Sequence, residues 1–175
     1  TEPRLHQLIV QISDPSARSW MDVISAGAPE TPKSSEKVPR RVWESEQLFN
    51  EAHVFNGKTA VQLIHFGSTQ HEYHDLVAYA EADELVSGHP RHCLAVGEQY
   101  PDLRSRFGCR QEESCAVNLP RAFPLADINP PNLIFPLIFG QEGDRMAEVS
   151  EMWRRTYFWE WFLFLPLHPR LGHAG

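Results

Sequence analysis

The sequence is poor in cysteine and in clustered positive charge, and both shortages exclude classes of protein. Its three cysteines form no Cys-x-x-Cys pair, which argues against a thiolate zinc site or a disulfide scaffold. Cys109 and Cys115 could close a small disulfide loop in an exported protein, but thiols in a reducing cytoplasm are the expected state. The net charge of -7 disfavours nucleic acid as a partner, because binding to phosphates needs a basic face.

Long apolar runs and catalytic motifs are also missing. The longest apolar stretch, residues 158–167, is interrupted by Glu160 and falls short of the roughly 20 residues that a membrane span requires. No Gly-x-Gly-x-x-Gly, P-loop, Gly-x-Ser-x-Gly or His-Glu-x-x-His pattern occurs. No signal peptide pattern is visible either. The sequence therefore predicts no membrane span and no phosphate-cradling loop, and we expect a cytoplasmic protein.

The composition that remains is typical of one globular domain. With 42% hydrophobic and 22% charged residues in a chain of 175, a single core over residues 1–175 is expected. Residues 28–41, rich in Pro and Ser, are predicted to form a mobile loop. Residues 120–136 contain five prolines and are predicted to form an extended, ordered loop, since proline breaks helices and is confined to sheet edges.

Runs of branched and apolar residues predict the strands. Residues 5–12 are interpreted as a first strand, and residues 59–66 form a nearly continuous apolar run typical of a central strand. The Asn56-Gly57 pair predicts a hairpin turn ahead of the second run. Shorter strands are predicted at residues 92–96 and 114–119, and the apolar bulk of residues 133–139 should anchor that segment in the core.

Helical spacing predicts the remaining elements. A short helix carries Trp20 and ends at Gly27, and a second opens at Thr69 with a capping-box pattern and runs to about Val86. A short helix is predicted over residues 101–107, and a long one over residues 144–163. These elements predict an α+β fold, a small mixed sheet packed by two main helices. A three-layer α/β arrangement is the alternative.

Negative charge is concentrated in one stretch of the chain. No Lys or Arg occurs between Lys58 and Arg91, and this gap contains Glu72, Asp75, Glu81, Asp83 and Glu84. The pattern predicts an acidic helix, which is interpreted either as a solvated face or as a docking surface for a protein with a basic surface.

The C-terminal region is dense in aromatic residues, among them Trp153, Trp159 and Trp161. This is more bulk than one helix face normally buries, so it predicts core burial or a surface for self-association or for a partner. A role at a membrane surface is a third interpretation.

Histidines and one carboxylate suggest a candidate metal site, composed of His65, His71, His74 and Asp75. Imidazole and carboxylate groups suit zinc or another divalent metal, and His71 and Asp75 lie one helical turn apart. The same residues also fit an uncommitted surface cluster or a pH-sensitive patch. Cys93, next to His92, is interpreted as a buried and inert thiol.

Together these features favour a non-enzymatic protein-binding or regulatory protein, of the inhibitor, immunity or accessory-subunit type, without a cofactor. It would use the acidic helix and the C-terminal aromatic segment, and no catalytic residue is assigned. The competing hypothesis is a divalent-metal-dependent hydrolase built on the histidine cluster.

Overall fold

A seven-stranded mixed sheet with helices on both faces organises the computed structural model, which describes residues 3–13, 17–33, 42–43, 57–67, 71–110, 115–119, 123–124, 132–151 and 160–166. The predicted α+β class is confirmed. In chain order the elements are β1 (Arg4–Ile12), α1 (Trp20–Gly27), β2 (Gly57–His65), α2 (Tyr73–Ala82), β3 (Leu85–Ser87), α3 (Pro90–Gln99), α4 (Leu103–Arg106), β4 (Cys115–Asn118), β5 (Phe123–Pro124), β6 (Asn132–Ile134), β7 (Leu137–Phe139), a 3-10 turn (Gln141–Gly143), β8 (Arg145–Ala147), β9 (Ser150–Glu151) and β10 (Glu160–Pro166).

Strand β10 lies in the middle of the main sheet, whose order is β1-β2-β10-β4-β7-β8. It pairs antiparallel with β2 and parallel with β4, while β3 pairs antiparallel with its C-terminal half. Phe164 pairs with both Gln62 and Ser87, so β3 lies on the side of β10 opposite β2 and continues the line of β4. Strands β5, β6 and β9 form a separate three-stranded sheet.

The predicted helix over residues 144–163 is wrong, because much of this segment is strand. Residues 145–147, 150–151 and 160–163 belong to β8, β9 and β10. Residues 161–165 are each at most 5% exposed, since β10 is covered on both faces. A strand that is buried on both faces is apolar at every position, and this pattern cannot be distinguished from that of a buried helix by periodicity.

The two faces of β10 belong to different cores. Trp161, Leu163 and Leu165 point into the main core, which also contains buried residues of α1 and α3. Phe162 and Phe164 point the other way, into a smaller cluster with Leu76 and Ala80 of α2 and with Leu85. Helix α2 is thus fastened to the sheet by the even-numbered residues of β10.

Helices α1 and α3 cross at a pair of glycines. A Cβ atom at Gly97 would overlap the carbonyl oxygen of Gly27, and one at Gly27 would overlap the backbone of Leu94. The absence of both side chains lets the two backbones approach closely enough to bury Trp20 and Ile24 against the sheet.

The outer strands of the main sheet have edges that are covered by other groups. On β1, the Gln99 side chain accepts a hydrogen bond from Gln11 N at 2.8 Å and donates one to Gln11 O at 2.9 Å, and the Tyr100 hydroxyl donates to Ile9 O at 2.8 Å. On β8, Arg145 exchanges hydrogen bonds with the backbone and side chain of Glu30, and Ala147 N donates to the Thr31 hydroxyl. These contacts satisfy backbone groups that would otherwise template aggregation.

Most other predicted elements are confirmed, with shifted ends. Strands β1, β2 and β4, helices α1 and α4, and the burial of residues 135, 137 and 139 agree with the predictions. The strand predicted at residues 92–96 is wrong, since this segment lies in α3, where Pro90 occupies the first helical turn. Asn56 and Thr69 lie outside the described residues, and β2 pairs with β1.

Parts of the two predicted loops are also described. In the first, Ala28 and Thr31 are buried and Pro32 O accepts a hydrogen bond from Trp43. In the second, residues 123–124 and 132–134 are strands. Residues 34–41, 120–122 and 125–131 of these loops lie outside the described part of the chain, so the predicted mobility of residues 34–41 stays a prediction. No helix in the described residues is both long and apolar enough to cross a bilayer.

The glycine crossing predicts a steric effect. Gly97→Ala should lower the free energy of unfolding by about 2 to 3 kcal/mol, because the added methyl group forces α1 and α3 apart. Urea denaturation measures this loss. Gly140→Ala is the matched control, since its nearest atom outside the neighbouring residues is Asp144 Cβ at 3.2 Å. An equal loss in the two variants would contradict the steric explanation.

Candidate functional site

The predicted acidic residues lie at the two ends of α2, all exposed to solvent. Glu72 is the N-cap and Asp75 lies in the first turn. Glu81 belongs to the last turn, and Asp83 and Glu84 follow it. Negative charge near the start of a helix is favourable, because the macrodipole is positive there. The negative charges of α2 are therefore favourable at its N-terminal end and unfavourable at its C-terminal end.

Carboxylates at the C-terminal end of α2 oppose the helix dipole. The last turn contains no basic residue, so nothing on the helix itself offsets the three negative charges of Glu81, Asp83 and Glu84. Each such charge costs about 0.3 to 1 kcal/mol at low ionic strength. We name these three residues the acidic corner, since they lie where α2 turns into β3.

Two local contacts shape the acidic corner. Burial and a hydrogen bond to Asp83, together with the charge of that carboxylate, raise the pKa of the Tyr79 hydroxyl. Tyr79 also packs edge-on against Phe66 of the smaller core, with ring centroids 5.2 Å apart. Its hydrogen bond to Asp83 therefore links that carboxylate to the smaller core. Glu84 has a φ of 55°, a left-handed conformation that an L-residue with a Cβ adopts at a cost.

Strand β3 presents an open edge immediately after the acidic corner. Gly88 N donates to Leu163 O at 3.1 Å, and the alternation of an antiparallel ladder then directs Val86 toward β10. The backbone groups of Leu85 and Ser87 therefore point away from the sheet, and within the described residues they have no partner. Val86 is 38% exposed, which adds an apolar side chain to this edge.

The predicted metal-ligand set is not brought together in the part of the chain that the structure describes. Gly67 N donates to His65 Nδ1 at 3.0 Å, and His71 Nε2 lies 3.1 Å from Phe66 O. Each of these rings therefore uses one nitrogen on nearby backbone. No group of three or more His, Cys, Asp or Glu side chains that could hold an ion is found among the described residues. The side chain of His74 lies outside them, so its role stays a prediction.

The aromatic residues of the C-terminal region are only partly described. Trp161 is 2% exposed and stacks on Phe107 with ring centroids 3.8 Å apart. The His65 ring lies 5.1 Å from it, which places both residues in the main core rather than on a docking surface. Trp153 and Trp159 lie outside the described residues, so their predicted role in binding stays a prediction.

A histidine pair, His89 and His92, begins α3. His89 Nδ1 accepts a hydrogen bond from Arg91 N at 3.1 Å, and His92 Nδ1 accepts one from His89 N at 2.9 Å. Both rings therefore carry their proton on Nε2 when neutral. His92 is fully buried, and its Nε2 has no hydrogen-bond partner among the described residues. The His-Pro pair at 89–90 was the available signal, since proline favours the first helical turn.

Burial governs the titration of these core groups. Desolvation, and secondarily the neighbouring His89, lowers the pKa of His92 to about 3. Desolvation alone raises the pKa of the Cys93 thiol, which is fully buried, so Cys93 is an inert core residue, as predicted. A hollow of about 580 Å³ lies open between α4 and the turn before β8, and its lining includes Asp102, Arg104 and Glu142.

The dipole argument predicts opposite effects at the two ends of α2. Replacing Glu81 and Glu84 with Gln should raise the free energy of unfolding by about 1 kcal/mol at low ionic strength, because two unfavourable charges are removed. Asp75→Asn, at the favourable end, should lower it. Thermal and urea denaturation test both variants, and added salt should shrink both effects. A stability loss in the Gln variant that salt leaves unchanged would refute this electrostatic explanation.

Burial of His92 predicts a pH-dependent stability. The unfolded chain binds a proton at His92 below its ordinary pKa of 6.5, whereas the folded chain does so only near 3. The stability contribution is therefore complete above pH 6.5 and declines as the pH falls toward 3, at up to about 1.4 kcal/mol per pH unit. His92→Gln can still cap the His89 amide and should flatten this decline in urea titrations. Parallel pH curves for the two proteins would contradict the assignment.

Comparison of the chain with protein-family models, with curated proteins and with solved structures found no match.

Proposed function

We propose that this chain is a non-enzymatic protein-binding module whose acidic corner docks a positively charged segment of another protein. The observation that carries the proposal is the concentration of negative charge at the wrong end of α2, beside an exposed strand edge. Within the described residues, Glu81 and Glu84 form no salt bridge, so their charge is available to a partner.

The stability cost of this corner supports a role in binding. Three carboxylates oppose the helix dipole and one of them, Glu84, also holds a left-handed backbone conformation. Glycine or asparagine at that position would relieve the backbone strain, and lysine or arginine near the helix end would complement the dipole. Features that cost stability without a structural return are concentrated at functional sites.

The surroundings of the acidic corner favour a basic partner that also makes apolar contacts. Exposed ion pairs contribute only about 0 to 1 kcal/mol each, so charge alone gives weak binding. Val86 adds exposed apolar surface next to Glu84. The chain would thus recognise a segment that combines Lys or Arg with apolar residues.

Two further features bear on the context of this function. The cysteines Cys93, Cys109 and Cys115, all within the described residues, form no disulfide, which supports a reducing compartment such as the cytoplasm. Among the predicted tryptophans Trp161 is buried, which leaves Trp153 and Trp159 as candidates for self-association through the C-terminal segment.

Selection from a library of random peptides tests the proposed function. Peptides that bind the chain should be enriched in Lys and Arg, and their affinity should fall with added salt. The double variant Glu81→Gln, Glu84→Gln should bind them about tenfold more weakly, because two charge contacts are lost.

A charge-matched control separates the corner from net charge. The double variant Glu142→Gln, Glu148→Gln removes the same charge near β8, which β7 separates from the line of β4 and β3, and should retain full binding. Enrichment of peptides without basic residues, or equal weakening in the two double variants, would refute the proposal.

A further inference from the structure

We propose that the partner segment binds in an extended conformation and adds a strand to the open edge of β3, a mode of recognition that rests on the proposed function. The edge residues are Leu85 and Ser87, and the acidic corner lies immediately before them. The partner backbone would form the hydrogen bonds, and its basic side chains would meet Glu81 and Glu84.

The backbone groups of β3 point alternately toward β10 and away from it. The bond from Gly88 N to Leu163 O, with the pairing of Val86 to Leu165, directs every second backbone group of β3 toward β10. Leu85 and Ser87 are opposite Pro166 and Phe164 and hold their N–H and C=O groups outward. Neither residue has a hydrogen-bond partner on this side within the described part of the chain.

The outer edges of β8 and of the C-terminal half of β1 are covered by side chains and loops, in contrast to β3 within the described residues. Gln99 and Tyr100 cover the C-terminal half of β1, and Glu30 and Thr31 cover β8. Side chains and loops therefore protect the ends of this sheet. Strand β3 lacks such a cover among the described residues, although an exposed edge is an aggregation risk that proteins normally remove.

Among the described residues of the main sheet, residues 5–7 of β1 are also an uncovered stretch of edge, and charge distinguishes this stretch from β3. The β1 stretch is flanked by Arg4 and His6, and it bears the exposed side chain of Leu5, at 52%. The β3 stretch follows three carboxylates and contains no basic residue. A basic extended segment is therefore attracted to β3 and repelled from the start of β1.

Strand addition also predicts that basic and apolar residues should alternate along the partner segment. Neighbouring residues of an added strand point to opposite faces of the sheet. Val86 lies on the face of Leu165, while Leu85 lies on the opposite face with α2. A segment with basic residues on the α2 face and apolar residues on the other matches both surfaces.

Synthetic peptides in which Arg alternates with Val test this inference. Three versions carry the same charge: the unmodified peptide, one N-methylated on the odd amides and one N-methylated on the even amides. Only one side of an added strand faces β3, so one methylated peptide should bind about tenfold more weakly and the other should bind like the unmodified peptide. Isothermal titration calorimetry at low salt measures the three affinities.

Amide hydrogen exchange gives a second readout that charge alone would not change. The unmodified peptide should slow exchange at Ser87 N, which faces outward, and leave Val86 N, which faces β10, nearly unchanged. Equal binding of all three peptides, absence of binding, or no protection at Ser87 would overturn strand addition. If Glu81→Gln, Glu84→Gln still weakens library-selected peptides in any of these cases, the proposed function stands without it.

Discussion

Burial of β10 on both faces is the interaction on which the rest of the fold depends. Its odd-numbered side chains complete the main core and its even-numbered ones hold α2, while its backbone joins β2, β3 and β4. Full burial of a large apolar side chain contributes about 1.5 to 3 kcal/mol, so the five buried residues of this strand contribute on the order of 10 kcal/mol. That sum is comparable to the whole net stability of a typical domain.

Against this stable centre, the junction of α2 and β3 combines several unfavourable features. Carboxylates oppose the helix dipole, Glu84 is left-handed, and no described residue covers the backbone of β3. Elsewhere the same sheet satisfies its edges with Gln99, Tyr100 and Glu30. This contrast within one molecule is what supports the proposed docking role of the junction.

The elements that local sequence patterns determine were predicted correctly, whereas those that depend on pairing between segments distant in sequence were not. Strands β1 and β2 and helix α1 have clear periodicity and turn signals, and they were predicted almost to their ends. Residues 161–165 of β10 are apolar at every position, and the strand state of this segment comes from parallel pairing with β4, which is remote in sequence. Helix α3 was missed because residues 92–96 were interpreted as a short strand, although Pro90 lies in the first turn of a helix.

For the candidate site, the sequence identified the five acidic residues but not their division between the two ends of a helix. The prediction extended α2 to about Val86, so the residues of β3 were assigned to a helix and no strand edge could be foreseen. The histidine set was proposed from residue type and from the helical spacing of His71 and Asp75, and neither predicts the local backbone contacts of His65 and His71.

The position of β10 in the chain also affects how the molecule assembles during synthesis. The central strand of the sheet is the last strand described, so the β1–β2 pair and the β4–β7–β8 meander leave the ribosome before the strand that joins them. Until β10 emerges, each half exposes apolar surface that β10 covers in the folded chain. Nascent chains therefore expose this surface until residues 160–166 have left the ribosome, which favours protection by chaperones up to that point.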